Sequence, residues 1–310
     1  MRRGLSDSRR PSSATMKSNR SFRSSRLGPA NTPPPNARFP LGAKANSTLA
    51  KSFSAATSLP LTSIDHHTAP RLSGWKVRDQ GQRGTCVAHA LAACTEVLAF
   101  QSVPPVPTFD GSEQFLFWGA KQFDPSATDG TTHPYTLQAL QNHGLCDEAT
   151  WPYNPLPLAT VDQGPPPGTA VLAASNKRHV GGSVTAPGNA TLLYAALCQA
   201  PVAIGVPVFA DPVLPTNDNW NAGGLMEFGR VLDPQPSSVV IGGHAVCIVG
   251  FEPDPTEPAG RGWFIIRNSW GVSPWGSKLP AAGAYWGPEP GYGQISWSYV
   301  DLYLWEMCSL

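Results

Sequence analysis

The sequence predicts an α+β protein of two lobes, with helices in the first lobe and an antiparallel β-sheet in the second. Segments of helical character lie between residues 86 and 198, whereas short apolar runs with β-branched residues and flanking glycines follow from residue 201 onward. Apolar residues make up 41% of the 310-residue chain, which is enough for a substantial core. Helices followed by strands are typical of two units of different class, and a cleft is expected where they meet.

Four segments are predicted to be helices. Residues 86–100 are apolar on most sides, which places that helix in a core. Residues 110–118 begin with a capping pattern, and residues 134–142 begin with proline and are followed by Gly144. The fourth helix is predicted at residues 189–198, directly before the first strand of the second lobe.

The strand predictions depend on short apolar runs bounded by glycine or proline. They cover residues 201–209, 245–250, 262–267 and 293–297. The long segments between them, residues 211–238 and 272–290, are rich in proline, glycine and tryptophan and are expected to be loops.

The chain is expected to divide into a disordered basic tail, residues 1–58, and a folded body, residues 59–310. The tail is rich in serine, arginine and proline and has no tryptophan or tyrosine, so it offers too little apolar surface to offset the entropy of ordering. Within the body, the helical lobe is predicted at about residues 75–185 and the β lobe at about residues 186–303.

Charge is divided unevenly between tail and body. Residues 1–51 hold 11 of the 22 basic residues and one acidic residue, whereas the rest of the chain holds 11 basic and 20 acidic residues and has a net charge of −9. A body this acidic has no large basic face, which argues against a nucleic-acid-binding domain.

The sequence also bears on location and cofactors. No apolar run approaches the length of a membrane-spanning helix, and no apolar stretch follows the first arginines as it would in a secretory signal peptide. The six cysteines lack the paired spacing of metal ligands, so no metal or cofactor is expected and most are predicted to be buried free thiols. A cytoplasmic location is favoured, and export directed by the tail is the alternative.

Cys86 is the first candidate for chemistry, because it stands at the predicted start of the first helix. A helix N-terminus stabilises a thiolate and lowers the pKa of a cysteine from its ordinary value of about 8.5. The preceding loop begins at Gln80 and contains Gly81 and Gly84, which let the backbone pass close to a substrate. The alternative is a buried cysteine that only caps a core helix, and this segment alone does not separate the two.

Two later positions favour the catalytic interpretation. His244 lies at the start of an apolar strand, and Asn268 ends the next strand, two residues before Trp270. If the two strands are neighbours, the Asn268 amide oxygen accepts a hydrogen bond from one imidazole N–H and directs the other ring nitrogen at Cys86. Such a triplet supports acyl transfer through a thioester intermediate.

Three parts of the chain resemble, in order and context, the signatures of the papain family of cysteine proteases. They are Gln80 with Cys86, then His244, then Asn268-Ser269-Trp270. The resemblance extends over about residues 59–303. It implies a papain-like two-lobe fold with the active site in the cleft between a helical and a β lobe. It also implies a bacterial-type cysteine peptidase, acting on a polypeptide substrate without the usual propeptide.

The resemblance implies roles for individual residues. Cys86 is expected to be the nucleophile, His244 the general base and then acid, and Asn268 the residue that orients the imidazole. The Gln80 side chain and the Cys86 backbone N–H are expected to form the oxyanion hole.

Substrate binding is assigned by the same resemblance to Gly130, Thr131, Gly243 and Trp270. The backbone at Gly130 and Thr131 is expected to pair with an extended peptide, and Trp270 to shield the contact between His244 and Asn268 from water.

The sequence departs from the family pattern in places. Arg83 stands where the family usually has a disulfide-bonded cysteine, and Val87 replaces the usual tryptophan after the nucleophile. Residues 1–58 do not resemble the family's inhibitory propeptide, so control by such a propeptide is not expected. A thiol isopeptidase, amidase or acyltransferase remains an alternative, as does a non-catalytic binding module. Oligomeric state is not indicated by the sequence.

Overall fold

The computed structural model describes residues 41–44, 61–102, 104–106, 109–176, 181–214, 218–257, 261–278 and 289–310. Most of the predicted disordered tail, residues 1–40 and 45–58, lies outside the described residues, and the prediction of disorder stays a prediction there. The described part of the tail, residues 41–44, lies against the body of the protein, which differs from the expectation for those four residues.

Seven α-helices are present in the described part of the chain. They are α1 (Thr68–Leu72), α2 (Cys86–Gln101), α3 (Glu113–Phe123), α4 (His133–His143), α5 (Gly168–Ser175), α6 (Ala190–Leu197) and α7 (Trp297–Tyr303), with a 3-10 helix at Gly223–Phe228. The four predicted helices are confirmed as α2, α3, α4 and α6. The helices α1, α5 and α7 were not predicted, because each is short and lacks a long apolar repeat.

Within the residues that the structure describes, seven strands form one sheet. They are β1 (Ile64–Asp65), β2 (Ser183–Thr185), β3 (Val202–Ala210), β4 (Val239–Glu252), β5 (Trp263–Arg267), β6 (Tyr292–Ser296) and β7 (Glu306–Ser309). The order across the sheet is β2-β7-β3-β4-β5-β6, and β1 pairs with β4 off this path. All of these pairings are antiparallel, so the predicted sheet and its four predicted strands are confirmed.

The side chains of β3 point alternately to the two faces of the sheet, and both faces pack against helices. Val202, Ile204 and Val206 belong to a core cluster shared with α6 and α7. Ala203, between them, faces the other way and belongs to the cluster that contains α2. Because successive residues of a strand point to opposite faces, one strand serves two cores. The helix α2 is therefore buried nearly all round, as its composition predicts.

Side-chain caps fix where several helices begin. Ser112 accepts a hydrogen bond from the N–H of Phe115 at 3.1 Å and starts α3, and Asn189 accepts from Leu192 at 2.8 Å and starts α6. Asp110, which the sequence suggested as the start of α3, instead forms an ion pair with Arg78. The predicted second helix therefore begins three residues later than expected.

Two further features concern the predicted domain organisation. The strand β2 lies in the region predicted for the helical lobe, yet it pairs with β7 inside the sheet. Among the described residues, no helix combines the length and the apolar character needed to cross a membrane. All six cysteines are free thiols, and five of them are buried, which confirms the prediction made for most of them.

Candidate active site

The nucleophile candidate begins the central helix. Cys86 is the first residue of α2, and its side chain is 0% exposed. The preceding loop is tied to the segment after β5, because the Gln80 N–H donates to the Ser269 carbonyl at 2.8 Å. The sulfur faces the backbone N–H groups of Ala245 and Gly42. Since Ala245 directly follows His244 on β4, the sulfur lies beside the strand that carries the predicted base.

The predicted base and its orienting amide are in contact. His244 Nε2 lies 2.7 Å from Asn268 Oδ1. The amide oxygen can only accept, so Nε2 carries the proton and Nδ1 is left as the basic nitrogen. His244 Nδ1 is buried and has no hydrogen-bond partner among the described residues. Asn268 Oδ1 also accepts from the N–H of Ser269 at 2.8 Å, which holds the amide in place.

Indole rings enclose the imidazole. Trp270 stacks on His244 with ring centroids 4.3 Å apart, and Trp220 contacts His244 edge-on at 5.1 Å. Trp275 is fully buried and donates its indole N–H to the Trp220 carbonyl at 3.1 Å. The expected position of Trp270 beside the imidazole agrees with this geometry. Trp220 was missed, because it lies in a segment rich in turn-forming residues that the sequence marks only as a loop.

Gln80 is held by two neighbours of the site. Its Nε2 donates to the Arg83 carbonyl at 2.8 Å, and its Oε1 accepts from the Ser269 hydroxyl at 2.6 Å. The side chain is fully buried next to the segment that carries Asn268. The structure thus places Gln80 beside the other candidates, with its amide fixed by hydrogen bonds at both ends.

Arg83 supports the loop that precedes the nucleophile. Its guanidinium donates to Gln114 Oε1 at 2.6 Å, to the Asn154 carbonyl at 2.8 Å and to the Val161 carbonyl at 3.2 Å. It also lies over the Tyr153 ring, 5.0 Å from its centroid. The sequence marked Arg83 only as a departure from the family pattern. The structure shows that a buried arginine links the loop to α3 and to the segment after α4.

A short segment of the predicted tail crosses the site. Leu41–Lys44, called the cleft segment below, runs between the two lobes. The Ala43 N–H donates to the Gly243 carbonyl at 3.0 Å, and the Lys44 N–H donates to the Thr131 carbonyl at 3.1 Å. The Thr131 N–H donates in turn to the Gly42 carbonyl at 3.0 Å. Two predicted substrate-binding residues, Thr131 and Gly243, therefore bind the chain's own backbone.

The direction of the cleft segment determines what it presents to the sulfur. Ala43 pairs with Thr131 in parallel. The Gly42 carbonyl is turned to the Thr131 N–H, whereas the Gly42 N–H is turned to the Cys86 sulfur. A thiolate attacks a carbonyl carbon. The cleft segment therefore covers the Cys86 sulfur with a backbone N–H and directs the Gly42 carbonyl to Thr131.

Gly130 and Asp129 connect the groove that holds the cleft segment to the loop that precedes Cys86. Gly130 has a φ of +87°, and a Cβ on it would lie 2.3 Å from the Gly42 carbonyl oxygen, so no side chain fits there. The Asp129 carboxylate accepts from the N–H of Gly84 at 2.6 Å and from that of Gly130 at 3.0 Å. The predicted binding residue Gly130 thus lies directly under the cleft segment.

Burial favours the neutral forms of Cys86 and His244. It raises the pKa of the Cys86 thiol to about 11, against the opposing effect of the N–H groups of Ala245 and Gly42. It lowers the pKa of His244 to about 4, although the Asn268 hydrogen bond acts in the other direction. Burial beneath the cleft segment and among the indoles therefore opposes the thiolate that is expected from the helix N-terminus.

Comparison with known proteins places this site in a family context. Residues 62–279 match the family model described as "Papain family cysteine protease". An uncharacterised peptidase C1-like protein of Acanthamoeba polyphaga mimivirus is 29% identical over 64% of this chain and 60% of its own length. Cathepsin J of Rattus norvegicus is 27% identical over 67% of this chain and 58% of its own length. The chain spans about three fifths of the length of these relatives.

Solved structures share the fold. Xylellain, a cysteine protease from Xylella fastidiosa, superposes with a TM-score of 0.65 over 86% of this chain and 94% of its own, at 20% identity. Digestive procathepsin L 3 of Tenebrio molitor larval midgut gives a TM-score of 0.56 over 86% of this chain and 76% of its own, also at 20% identity. At this identity the likeness concerns the fold, and it agrees with the predicted two-lobe α+β architecture.

Proposed function

Because the chain belongs to the papain family of cysteine proteases, we propose that it is a cysteine-type peptidase that hydrolyses peptide bonds in an extended polypeptide. The observation that carries the proposal is the contact of 2.7 Å between His244 Nε2 and Asn268 Oδ1. It leaves Nδ1 as the basic nitrogen on the strand that borders the Cys86 sulfur.

The proposed reaction begins with proton transfer from the Cys86 thiol to His244 Nδ1. The thiolate then attacks the carbonyl carbon of the scissile bond, and the carbonyl oxygen takes up the negative charge. Collapse of this intermediate breaks the C–N bond, and the imidazolium gives its proton to the departing amine. Water, deprotonated by His244, hydrolyses the thioester and releases the acid and the thiol.

The developing negative charge needs hydrogen-bond donors that are already in position. The Gln80 amide and the Cys86 backbone N–H are proposed for this role. The contacts of Gln80 with Arg83 and Ser269 support it, because they fix the amide before substrate arrives. Losing one donor of an oxyanion hole typically lowers turnover by about 10²–10³-fold.

The groove around Thr131 is proposed to bind the substrate backbone. Its N–H and carbonyl, with the carbonyl of Gly243, already hold an extended segment, which supports recognition by added-strand pairing. Turnover requires that the cleft segment leaves, since it covers the sulfur. Departure also rehydrates both groups, which brings the pKa values of Cys86 and His244 toward each other and favours the ion pair.

The proposal predicts that Cys86→Ala and His244→Ala each abolish cleavage of an unfolded protein. Cys94→Ala is the matched control, because Cys94 is another buried thiol on α2 and takes no part in the reaction. Asn268→Ala is expected to retain a fraction of the activity. Measurements use the full chain and a Gly42→Ala variant, in which the cleft segment is displaced.

Three results would contradict the proposal. One is cleavage that survives both Cys86→Ala and His244→Ala. Another is tight peptide binding without any turnover while Cys86 is readily alkylated, which fits a non-catalytic binding module. A third is acyl transfer to an added amine in preference to water, which identifies an acyltransferase.

A further inference from the structure

The side chain of Lys44 enters a polar pocket beside the cleft. Its Nζ lies 3.2 Å from Asp124 Oδ2 and 2.7 Å from the Ser126 hydroxyl. Lys44 is 13% exposed and the Asp124 side chain 3% exposed, so this is an ion pair largely removed from water. A buried ammonium group is costly unless it has a carboxylate and further acceptors. The pocket supplies both.

Lys121 organises the pocket without help from the cleft segment. Its Nζ contacts Asp124 Oδ2 at 2.9 Å and donates to the carbonyls of Ser126, Thr128 and Gly130 at 2.7, 3.1 and 3.3 Å. The Ser126 N–H also donates to Asp124 Oδ1 at 2.9 Å. The loop after α3 is therefore held in shape by its own contacts, so the pocket does not depend on Lys44 for its form.

Burial and the neighbouring Lys121 lower the pKa of Lys44, and the carboxylates of the pocket oppose this effect. Asp124 and Asp129 face the pocket from the loop, and Lys121 supplies one positive charge. Burial alone would raise the pKa of Asp124, but hydrogen bonds from Lys121 and Ser126 and the charge of Lys44 lower it. The carboxylate is thus ionised at neutral pH. Without Lys44 the two carboxylates exceed the single ammonium by one charge.

The pocket stands at a fixed distance along the groove from the nucleophile. Gly42 covers the Cys86 sulfur, and the Lys44 backbone pairs with Thr131 two residues later. A peptide that binds in the same direction as the cleft segment, with parallel pairing to Thr131, brings the side chain at the Lys44 position to the same pocket. The Gly42 position itself has no room for a side chain, because a Cβ there would lie 1.9 Å from the Gly84 carbonyl oxygen.

We propose that Asp124 and Ser126 form a subsite for a basic side chain of a peptide in the cleft. Lys44 occupies it in the described state, and a lysine or arginine of a peptide that replaces the cleft segment takes its place. The inference depends on the proposed function only in that it treats the cleft as a peptide-binding groove.

The first test measures how fast iodoacetamide labels Cys86 in the full chain. Lys44→Met removes the charged contact and loosens the cleft segment, so labelling is expected to accelerate by about tenfold or more. Lys44→Arg keeps the charge and is expected to stay near the wild-type rate. Lys278→Met is the matched control, because Lys278 forms only an exposed pair with Glu227. If iodoacetamide labels Cys86 in Lys44→Met at the wild-type rate, the proposal is overturned.

The second test supplies the peptide in trans to the Lys44→Met variant. The amidated peptide Leu-Gly-Ala-Lys is expected to protect Cys86 from iodoacetamide at about tenfold lower concentration than Leu-Gly-Ala-Met. Ser126→Ala and Asp124→Asn are expected to remove this preference. If Asp124→Asn does not fold, Ser126→Ala alone tests whether the preference for the lysine peptide is lost. Equal protection by the two peptides overturns the proposal, whether or not the protein cleaves any substrate, since labelling does not depend on turnover.

Discussion

Gly42 is the residue at which the closure of the site is most sensitive to a single methyl group. A Cβ at this position would lie 1.9 Å from the Gly84 carbonyl oxygen and 2.6 Å from the Gly84 Cα. These are backbone atoms of the loop that precedes Cys86. Hydrogen bonds from the Gly84 N–H to Asp129 and from the Gln80 N–H to the Ser269 carbonyl hold this loop in place. Neither the cleft segment nor the loop can move away without breaking its hydrogen bonds. An alanine at position 42 is therefore incompatible with the observed position of the cleft segment.

Gly42→Ala is therefore expected to displace the cleft segment and to expose Cys86. The measurement is the rate of iodoacetamide labelling of Cys86 by mass spectrometry, and an increase of about tenfold or more is expected, the equivalent of about 1.4 kcal/mol. Gly224→Ala is the control, because a Cβ there meets nothing within 4 Å. Equal labelling of the two variants would mean that the cleft segment does not protect the sulfur.

The candidate triad shows what residue types and spacing can predict. Cys86, His244 and Asn268 were predicted from a cysteine at a helix start and two polar residues on consecutive strands. The structure brings these elements together, and their catalytic roles remain predictions. Leu41–Lys44 could not be predicted, because the segment is four residues of a proline- and serine-rich stretch and has no periodicity. Its binding depends on atoms of both lobes that are distant in sequence.

At the scale of elements, the loop before α2 depends on Arg83. Three of its contacts join the loop to distant parts of the chain: the Gln114 side chain of α3 and the carbonyls of Asn154 and Val161. Burial lowers the pKa of Arg83 from its ordinary value, but the group stays charged at neutral pH, because that ordinary value is so high. These acceptors and the rings of Tyr153 and Phe117 surround the buried charge.

Arg83→Met is expected to lower the free energy of unfolding by about 3 kcal/mol, since it leaves one buried and two part-buried acceptors without their donor. Urea unfolding at neutral pH measures the difference. The exposed Arg261 provides the control, and Arg261→Met is expected to change the unfolding free energy by less than about 0.5 kcal/mol. Similar values for the two variants would show that Arg83 does not hold the loop.

The elements themselves were predictable to different degrees. The helix α2 and the strands β3 to β6 have strong apolar patterns, and all are confirmed. The start of α3 was misplaced, because Asp110 and Ser112 are both good caps in sequence, and only the ion pair of Asp110 with Arg78 decides between them. The short strands β1, β2 and β7 pair with longer neighbours, and such pairing is not encoded in local pattern.

At the scale of the whole molecule, buried histidines connect folding stability to pH. Burial lowers the pKa of His89 to about 3, and of His244 to about 4, from an ordinary value of 6.5. The unfolded chain therefore binds more protons than the folded one between pH 6.5 and these values. Stability that is fully present above pH 6.5 is lost as the pH falls toward 3.

His89→Gln isolates one of these contributions. His89 Nδ1 donates to the Thr85 carbonyl at 3.0 Å, and the ring lies against Tyr153 at 4.8 Å, so the variant is expected to be less stable at pH 7. The difference from wild type should shrink as the pH falls from 6.5 to 3.5, by on the order of several kcal/mol at about 1.4 kcal/mol per pKa unit. Urea unfolding across this range measures it, and a constant difference would contradict the prediction.

The parallel pairing of the cleft segment with Thr131 has a consequence for how the groove can be opened. The segment is part of the same polypeptide, so it acts as an intramolecular ligand whose effective concentration stays the same when the protein is diluted. A separate inhibitor would dissociate on dilution and restore access to the sulfur, whereas this occupancy persists at any protein concentration. In the unmutated chain, cutting the polypeptide beside the cleft segment, or adding a competing peptide that overcomes that effective concentration, is expected to restore access.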